Sequence, residues 1–266
     1  MTTFEGNLHK MRTTLASPVQ YTLLLNDAPV DMNKLVGTSI NITFHGRINC
    51  VNCGRLTKKS YGQGFCYPCF IKAPQNAECI IRPELCRAHL GEGRDVAWEV
   101  EHHMQPHIVY LAQTDTIKVG VTRYTQVPTR WIDQGARRAI AVAEFPYRYL
   151  AGMAEVALKG HFTDKTNWRN MLTNKMNDLD LKAFSLKVAA QLPEDLQEYH
   201  LTEEDVVEIS YPVERYPGKV MSLSLDKHPE ISGILSGIRG QYLLFDDGRV
   251  INIRNHSGYH IELSID

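Results

Sequence analysis

Two C-x-x-C units, Cys50-Val-Asn-Cys53 followed by Gly54, and Cys66-Tyr-Pro-Cys69, are separated by the twelve residues 54–65 and organise the middle of this chain. Two C-x-x-C units at this spacing are typical of a zinc ribbon, in which each unit directs two thiolates at one ion. Gly54 suits the positive φ that follows such a turn. Four thiolates leave no open coordination position, so the sequence predicts one structural zinc ion. Four reduced thiols without metal, or an iron–sulfur cluster, are the alternatives.

Positive charge and aromatic rings surround this motif. Residues 41–77 contain no Asp or Glu. The basic residues are Arg47, Arg55, Lys58, Lys59 and Lys72, and the aromatic residues between them are Tyr61, Phe65, Tyr67 and Phe70. Basic side chains contact phosphates and aromatic faces stack on bases, so the segment predicts a nucleic-acid surface that includes Arg55, Lys58 and Lys59. The alternative is that the aromatic rings, Phe65 and Phe70 in particular, fill the small core of the module.

Composition limits the class of protein. The chain has 266 residues, 43% of them hydrophobic, which is ordinary for one large globular domain or a few small ones. A formal net charge of −1 provides no overall field that would attract nucleic acid. No run approaches the about 20 apolar residues of a membrane span, and residues 1–15 lack the apolar core of a signal peptide. The sequence therefore predicts a cytoplasmic protein without a membrane partner, whose cysteines are thiols or metal ligands.

A second group of potential ligands follows the ribbon motif. Cys79 and Cys86 remain, with His89 three residues further on. These three could bind a second zinc ion. The fourth ligand would then be His102, His103, His107 or a carboxylate. Two buried thiols beside a surface histidine are the alternative, and the sequence leaves the choice open.

The pattern of apolar residues predicts an α+β protein with four regions. These are a β region at 1–48, a cysteine-rich zinc module at 49–100, an α/β domain at 103–175, and a helical segment with a β region at 176–266. Alternation over 39–44 indicates a strand before the zinc module. Short strands separated by glycines near the C-terminus predict a small β-barrel or curled sheet. The acidic stretch 194–208 is a solvated helical face or the contact for a protein partner.

In the central region, strands are predicted at 107–111 and 117–121, joined by a hairpin at 113–116. A third strand is predicted at 140–145. Helices are predicted at 128–136, with Pro128 at the start, and at 147–162.

Ile108-Val-Tyr110, the hairpin, Lys118-Val-Gly120, then Arg130 and Glu155 on successive predicted helices form an ordered set. This set resembles the GIY-YIG nuclease superfamily over roughly residues 107–174, and it is closest to relatives with lysine in place of the second tyrosine. The whole chain also resembles a little-characterised bacterial family of unknown function. In that family a cysteine-rich module precedes this segment and a phrase like Gly240-Gln-Tyr-Leu follows it.

The GIY-YIG resemblance implies roles for individual residues. Arg130 would stabilise charge on the scissile phosphate, Glu155 would bind a divalent cation such as Mg²⁺ or Mn²⁺, and Tyr110 would position the attacking water. Lys118 and Arg123 would contact phosphate. An ion pair between Arg130 and Glu155 would satisfy both side chains without any chemistry.

The sequence also departs from the superfamily pattern. Lys118 replaces the second tyrosine of many active members, and Gln134 stands where many members carry a residue that can act as a base. Glutamine cannot accept a proton at neutral pH. Whether the protein is an enzyme therefore stays open, as does its oligomeric state.

Three functional hypotheses follow. The first is a zinc-containing protein that binds DNA or RNA on a GIY-YIG-like scaffold. The second is a divalent-metal-dependent endonuclease, and the third is a zinc-stapled scaffold for protein interactions. Lys118 and Gln134 favour the first over the second, and the acid-free segment 41–77 favours either over the third.

Overall fold

The computed structural model describes residues 2–26, 28–162, 166–175 and 178–265. They form a mixed α+β structure with three sheets. The strands are β1 Thr2–Asn7, β2 Arg12–Thr14, β3 Gln20–Leu25, β4 Ala28–Asp31, β5 Ser39–Asn49, β6 Leu56–Thr57, β7 His107–Gln113, β8 Ile117–Arg123, β9 Arg138–Phe145, β10 Val207–Glu208, β11 Met221–Leu223, β12 Glu230–Arg239, β13 Tyr242–Phe245, β14 Arg249–Asn252 and β15 Tyr259–Ile265. The helices are α1 Tyr67–Lys72, α2 Val96–His103, α3 Thr129–Asp133, α4 Arg148–Leu158, α5 Trp168–Leu172 and α6 Leu181–Val188.

The largest sheet combines both ends of the chain. Strand β5 lies between β15 and β12 and is antiparallel to both, and β1 pairs with the outer edge of β15. Ile40 and Ile42 of β5 are buried in the main hydrophobic core, as the predicted alternation over 39–44 requires. The N-terminal and C-terminal β regions therefore share one sheet and one core. The small sheet β2-β3-β4 adds Tyr21 and Leu23 to the same core.

This large sheet is open. Its strand order runs β1-β15-β5-β12-β13-β14-β11, and among the described residues the two end strands do not pair with each other. Of the two predicted architectures for the C-terminal region, a small β-barrel or a curled sheet, the barrel is therefore wrong. The reason is that β12 and β15 find their hydrogen-bonding partner in β5, which comes from the N-terminal region, so they need not close on one another.

The second sheet has the order β10-β9-β7-β8 and is antiparallel throughout. Gln113 pairs with Ile117, which confirms the predicted hairpin. Strand β9 confirms the third strand predicted for the central region, and α4 confirms the helix predicted at 147–162. Helix α3 is shorter than predicted, because the chain turns at Gly135 with a φ of 72°.

Alternate residues of β7 point to opposite faces of this sheet. Tyr110 belongs to the main core together with Trp131 of α3. Val109 and Leu111 belong to a second core, into which α4 packs its apolar side. The sheet therefore lies between the Tyr110 side chain and helix α4.

The predicted helical segment of the C-terminal region is interrupted. Helix α6 is followed by two short 3₁₀ turns, with Leu192-Pro193 between them, and the chain then enters β10. The acidic stretch 194–208 is mostly exposed and only partly helical. None of the helices in the described segments is long and apolar enough to cross a membrane.

Helix α4 also contacts the segment that follows the two C-x-x-C units. Gly152 lies against the backbone of Pro83 and Glu84, so closely that a Cβ at Gly152 would collide with the Glu84 nitrogen. Arg148 of the same helix donates hydrogen bonds to the carbonyl oxygens of Cys79, at 2.8 and 3.0 Å, and of Ile80, at 2.9 Å. These contacts fix the cysteine-rich segment on the sheet β10-β9-β7-β8 and its helices α3 and α4, which together we call the α/β unit.

Replacing Gly152 by alanine should lower the free energy of unfolding by about 1–3 kcal/mol, because the added methyl group must push two backbone segments apart. Urea unfolding of the purified variant measures this change. Gly160→Ala is the matched control, since its nearest contact would be the Ala157 carbonyl oxygen at 3.7 Å. Equal stabilities of the two variants would contradict the close packing of α4.

Candidate metal centre and nucleic-acid interface

Four cysteine sulfurs form a compact cluster. The Sγ atoms of Cys50, Cys53, Cys66 and Cys69 all lie within 4.8 Å of one another, and those of Cys53 and Cys66 are 3.8 Å apart. Four sulfurs arranged tetrahedrally about 2.3 Å from one ion would be separated by about 3.8 Å. The cluster is therefore compatible with a metal ion such as zinc, as the two C-x-x-C units predict.

Local backbone structure brings the two cysteine pairs together. The first pair forms a tight turn at the end of β5, in which the Gly54 N–H donates to the Cys50 carbonyl and Gly54 has a φ of 71°. The second pair begins helix α1, with Cys66 as the N-cap and Pro68 in the first turn. Both turns direct their sulfurs to the same point without any long-range apolar packing.

Backbone N–H groups stabilise a thiolate in this cluster. Burial alone would raise the pKa of Cys50, but hydrogen bonds from the backbone N–H groups of Cys66, Cys53 and Asn52 lower it to about 6. The Asn52 side chain also donates to the Cys69 sulfur at 3.4 Å. Such N–H donors surround metal-bound thiolates and favour their charged form, which is the form that binds zinc.

Beside the cluster lies a surface that we call the aromatic–basic surface, formed by Lys59, Tyr61, Tyr67 and Phe70. The Tyr61 ring centroid lies 5.3 Å from that of Tyr67 and 6.0 Å from that of Phe70, and the Lys59 ammonium lies 5.3 Å from the Tyr61 centroid. Tyr67 is 56% exposed and Phe70 is 37% exposed. The five basic residues of the segment, Arg47, Arg55, Lys58, Lys59 and Lys72, are all exposed.

The alternative that aromatic rings fill a core in this module is wrong for Phe70. Helix α1, which carries Phe70, buries none of its residues, and no described residue of 51–76 belongs to a hydrophobic cluster. Phe65 is partly buried, and its backbone pairs with that of Tyr61. The module therefore depends on its cysteine cluster, while Tyr67 and Phe70 are exposed and Tyr61 and Phe65 are half-buried.

The two other predicted nucleic-acid contacts lie on the α/β unit. Lys118 of β8 is only 8% exposed and stands opposite Ala112. Arg123 is at the end of β8, opposite His107, where burial lowers its pKa. Neither residue belongs to the aromatic–basic surface.

Tyr110 and Gly120, the signature residues of the GIY-YIG resemblance, are direct cross-strand partners. A Cβ at Gly120 would lie 2.6 Å from the Tyr110 hydroxyl oxygen, so the ring crosses the strand where only glycine leaves room. Gln134 donates a hydrogen bond to that hydroxyl. Arg130 lies on α3, on the same side of the sheet as Tyr110. Its positive charge repels that of Arg254, a neighbour that the sequence did not indicate.

Glu155 lies away from these residues. It is 8% exposed on α4, and its Oε2 is 3.4 Å from the Lys159 ammonium. Burial raises the pKa of Glu155, and the positive charge of Lys159 opposes that shift. Because the sheet separates α4 from Tyr110, the structure does not bring Glu155 to Tyr110. Within the described segments, no ion pair joins Glu155 to Arg130.

The remaining cysteines form a second buried cluster with His103, one of the residues that the sequence indicated as a possible fourth ligand. Cys79, Cys86 and His103 place one potential ligand atom each within 4.8 Å of the others. His89, the predicted third ligand, instead stacks on Tyr149, with ring centroids 4.7 Å apart. The prediction used sequence proximity, whereas helix α2 returns the more distant His103 to the two thiols.

The chain matches the family described as "Protein of unknown function (DUF2797)" over residues 37–261. It belongs to that family. This confirms the predicted membership of an uncharacterised family. No curated protein and no solved structure matches the chain.

We expect Cys66→Ser to reduce bound zinc by about one ion per chain, because a hydroxyl is a poor substitute for a thiolate ligand. Mass-spectrometric metal analysis of the purified protein measures this change. Ser60→Ala, in the same module but outside the cluster, is the control and should retain its metal. Unchanged zinc in Cys66→Ser would exclude the four-cysteine centre.

Proposed function

We propose that this protein binds nucleic acid through the aromatic–basic surface of its zinc module. The observation that carries the proposal is the exposure of Tyr67 and Phe70 beside Lys59 in a segment without acidic residues. Exposed rings at the surface of a small module are costly unless they meet a partner. Rings flanked by lysine and arginine suit a partner with flat bases and charged phosphates.

Unpaired bases suit this surface better than a duplex. Stacking on an aromatic side chain contributes about 1–3 kcal/mol per base and requires a base that is free to leave its own stack. The near-zero net charge of the chain makes the attraction local to residues 41–77. The proposed ligand is therefore a single-stranded or locally unpaired DNA or RNA segment.

In this proposal zinc has a structural role and the α/β unit is a GIY-YIG-like scaffold. Four thiolates would occupy all four coordination positions of a tetrahedral zinc ion, which leaves none for water or substrate. The cross-strand pairing of Tyr110 with Gly120 supports the GIY-YIG-like interpretation. The separation of Glu155 from Tyr110 by the sheet favours binding over the endonuclease alternative. The protein-scaffold alternative would use the exposed acidic stretch 194–208 instead.

Tyr67→Ala and Phe70→Ala should each weaken binding of a labelled single-stranded oligonucleotide by about 1–3 kcal/mol, because each removes a stacking face. Fluorescence anisotropy with DNA and with RNA measures the dissociation constants. Tyr124→Ala is the matched control, because Tyr124 is 58% exposed but lies on the α/β unit. Equal loss in all three variants, or no binding by the wild-type protein, would contradict the proposal.

Lys59→Ala should reduce the slope of log binding constant against log salt by about 0.7, the value expected for one lost phosphate contact on a single strand. Lys227→Ala, an exposed lysine outside the zinc module, should leave the slope unchanged.

Repeating the incubation with Mg²⁺, Mn²⁺ or EDTA tests the alternative function. Metal-dependent cleavage that is lost in Glu155→Ala would replace the binding proposal by the endonuclease.

A further inference from the structure

We propose that Cys79, Cys86 and His103 bind a second zinc ion, with the carboxylate of Glu99 as the fourth ligand. This site is separate from the four-cysteine cluster and does not depend on nucleic-acid binding. It would contain two sulfurs, one nitrogen and one oxygen, a ligand set that zinc accepts in tetrahedral structural sites.

The two thiols and the imidazole already lie close together and are buried. Cys79, Cys86 and His103 are 6%, 2% and 2% exposed. The Cys86 sulfur is 3.4 Å from Nδ1 of His103, so the imidazole presents a ring nitrogen to the thiols. Two thiols and an imidazole in contact, without bulk water, form a donor set suited to a borderline-soft cation.

Glu99 gives the second, independent observation. Its side chain is 3% exposed, and its Oε2 lies 3.9 Å from the same His103 nitrogen. Oε1 accepts a hydrogen bond from the Arg94 backbone N–H at 2.8 Å, and Gly93 lies so close that a Cβ there would collide with the carboxylate. A buried carboxylate oxygen that faces the same imidazole nitrogen as the Cys86 sulfur is placed to serve as a metal ligand.

The position of this cluster gives the ion a function. Cys79 and Cys86 follow the zinc ribbon, whereas Glu99 and His103 lie on α2, which leads directly into β7. Arg148 of α4 holds the Cys79 carbonyl from the other side. A zinc ion here would join the ribbon segment to the α/β unit and fix the orientation of the aromatic–basic surface.

A disulfide between Cys79 and Cys86 is the competing explanation for the paired thiols. It would occupy both sulfurs, but it would give His103 no reason to direct Nδ1 at Cys86. The zinc site uses both thiols and the imidazole, whose potential ligand atoms lie within 4.8 Å of one another. Glu99 would complete the site by moving its Oε2 from beside His103 toward the ion.

The test uses the full chain purified without chelators. Metal analysis should give about two zinc ions per chain, and X-ray absorption at the zinc edge should give an average shell of about three sulfurs and one nitrogen or oxygen. This measurement needs no variant, so it is independent of folding defects. About one zinc per chain with a sulfur-only shell would overturn the proposal, as would a Cys79–Cys86 disulfide in the intact protein.

A variant pair then tests the fourth ligand. Glu99→Gln should release one of its zinc ions to a competing chelator at least about 10-fold more readily than the wild-type protein does. Glu101→Gln is the matched control on the same helix, since the Glu101 side chain is 77% exposed. Identical zinc release by the two variants would exclude Glu99 from the site.

Discussion

The pairing of strand β5 with both β12 and β15 is the constraint on which the rest of the structure depends. It joins an N-terminal strand to the last strands of the chain and so completes the main core. The same strand ends at Asn49, one residue before the first ligand of the cysteine cluster. The Asn49 N–H donates to the Gly258 carbonyl, and Gly258 leaves no room for a Cβ against the Asn49 oxygen. The large sheet therefore sets the position from which the zinc module extends.

Local patterns in the sequence predict local structure well in this chain. The paired C-x-x-C units predict the sulfur cluster, because each turn is determined by a few neighbouring residues. The apolar alternation and the short polar turn predict the hairpin of β7 and β8 for the same reason. The pairing of Tyr110 with Gly120 follows from that hairpin register.

Long-range partners could not be predicted in this way. Thr2 pairs with Ile265, and no local pattern encodes an interaction across so many residues. The same limit explains the incorrect barrel, since the C-terminal strands alone do not reveal that β5 will pair with them. It also explains why spacing indicated His89 as the third ligand and left His103 as only one of several possible fourth ligands. The direction of helix α2 determines which histidine reaches the thiols, and residue spacing in the sequence does not show that direction.

The cysteine-rich module and the α/β unit are stabilised in different ways. No described residue of 51–76 belongs to a hydrophobic cluster, and the four-cysteine cluster of this module is compatible with a metal ion that would stabilise it. The large sheet contributes most of the main core, and the α/β unit adds a second core between its sheet and α4. Residues 41–77 contain basic side chains and no acidic ones, although the net charge of the whole chain is −1.

Ultraviolet cross-linking of the full chain to a single-stranded oligonucleotide, followed by mass spectrometry of the peptides, tests the central claim most directly. We expect cross-links at Tyr61, Tyr67 and Phe70, because bases that stack on these rings lie within bonding distance of them. Cross-links confined to α3, α4 or the strands of the α/β unit would contradict it.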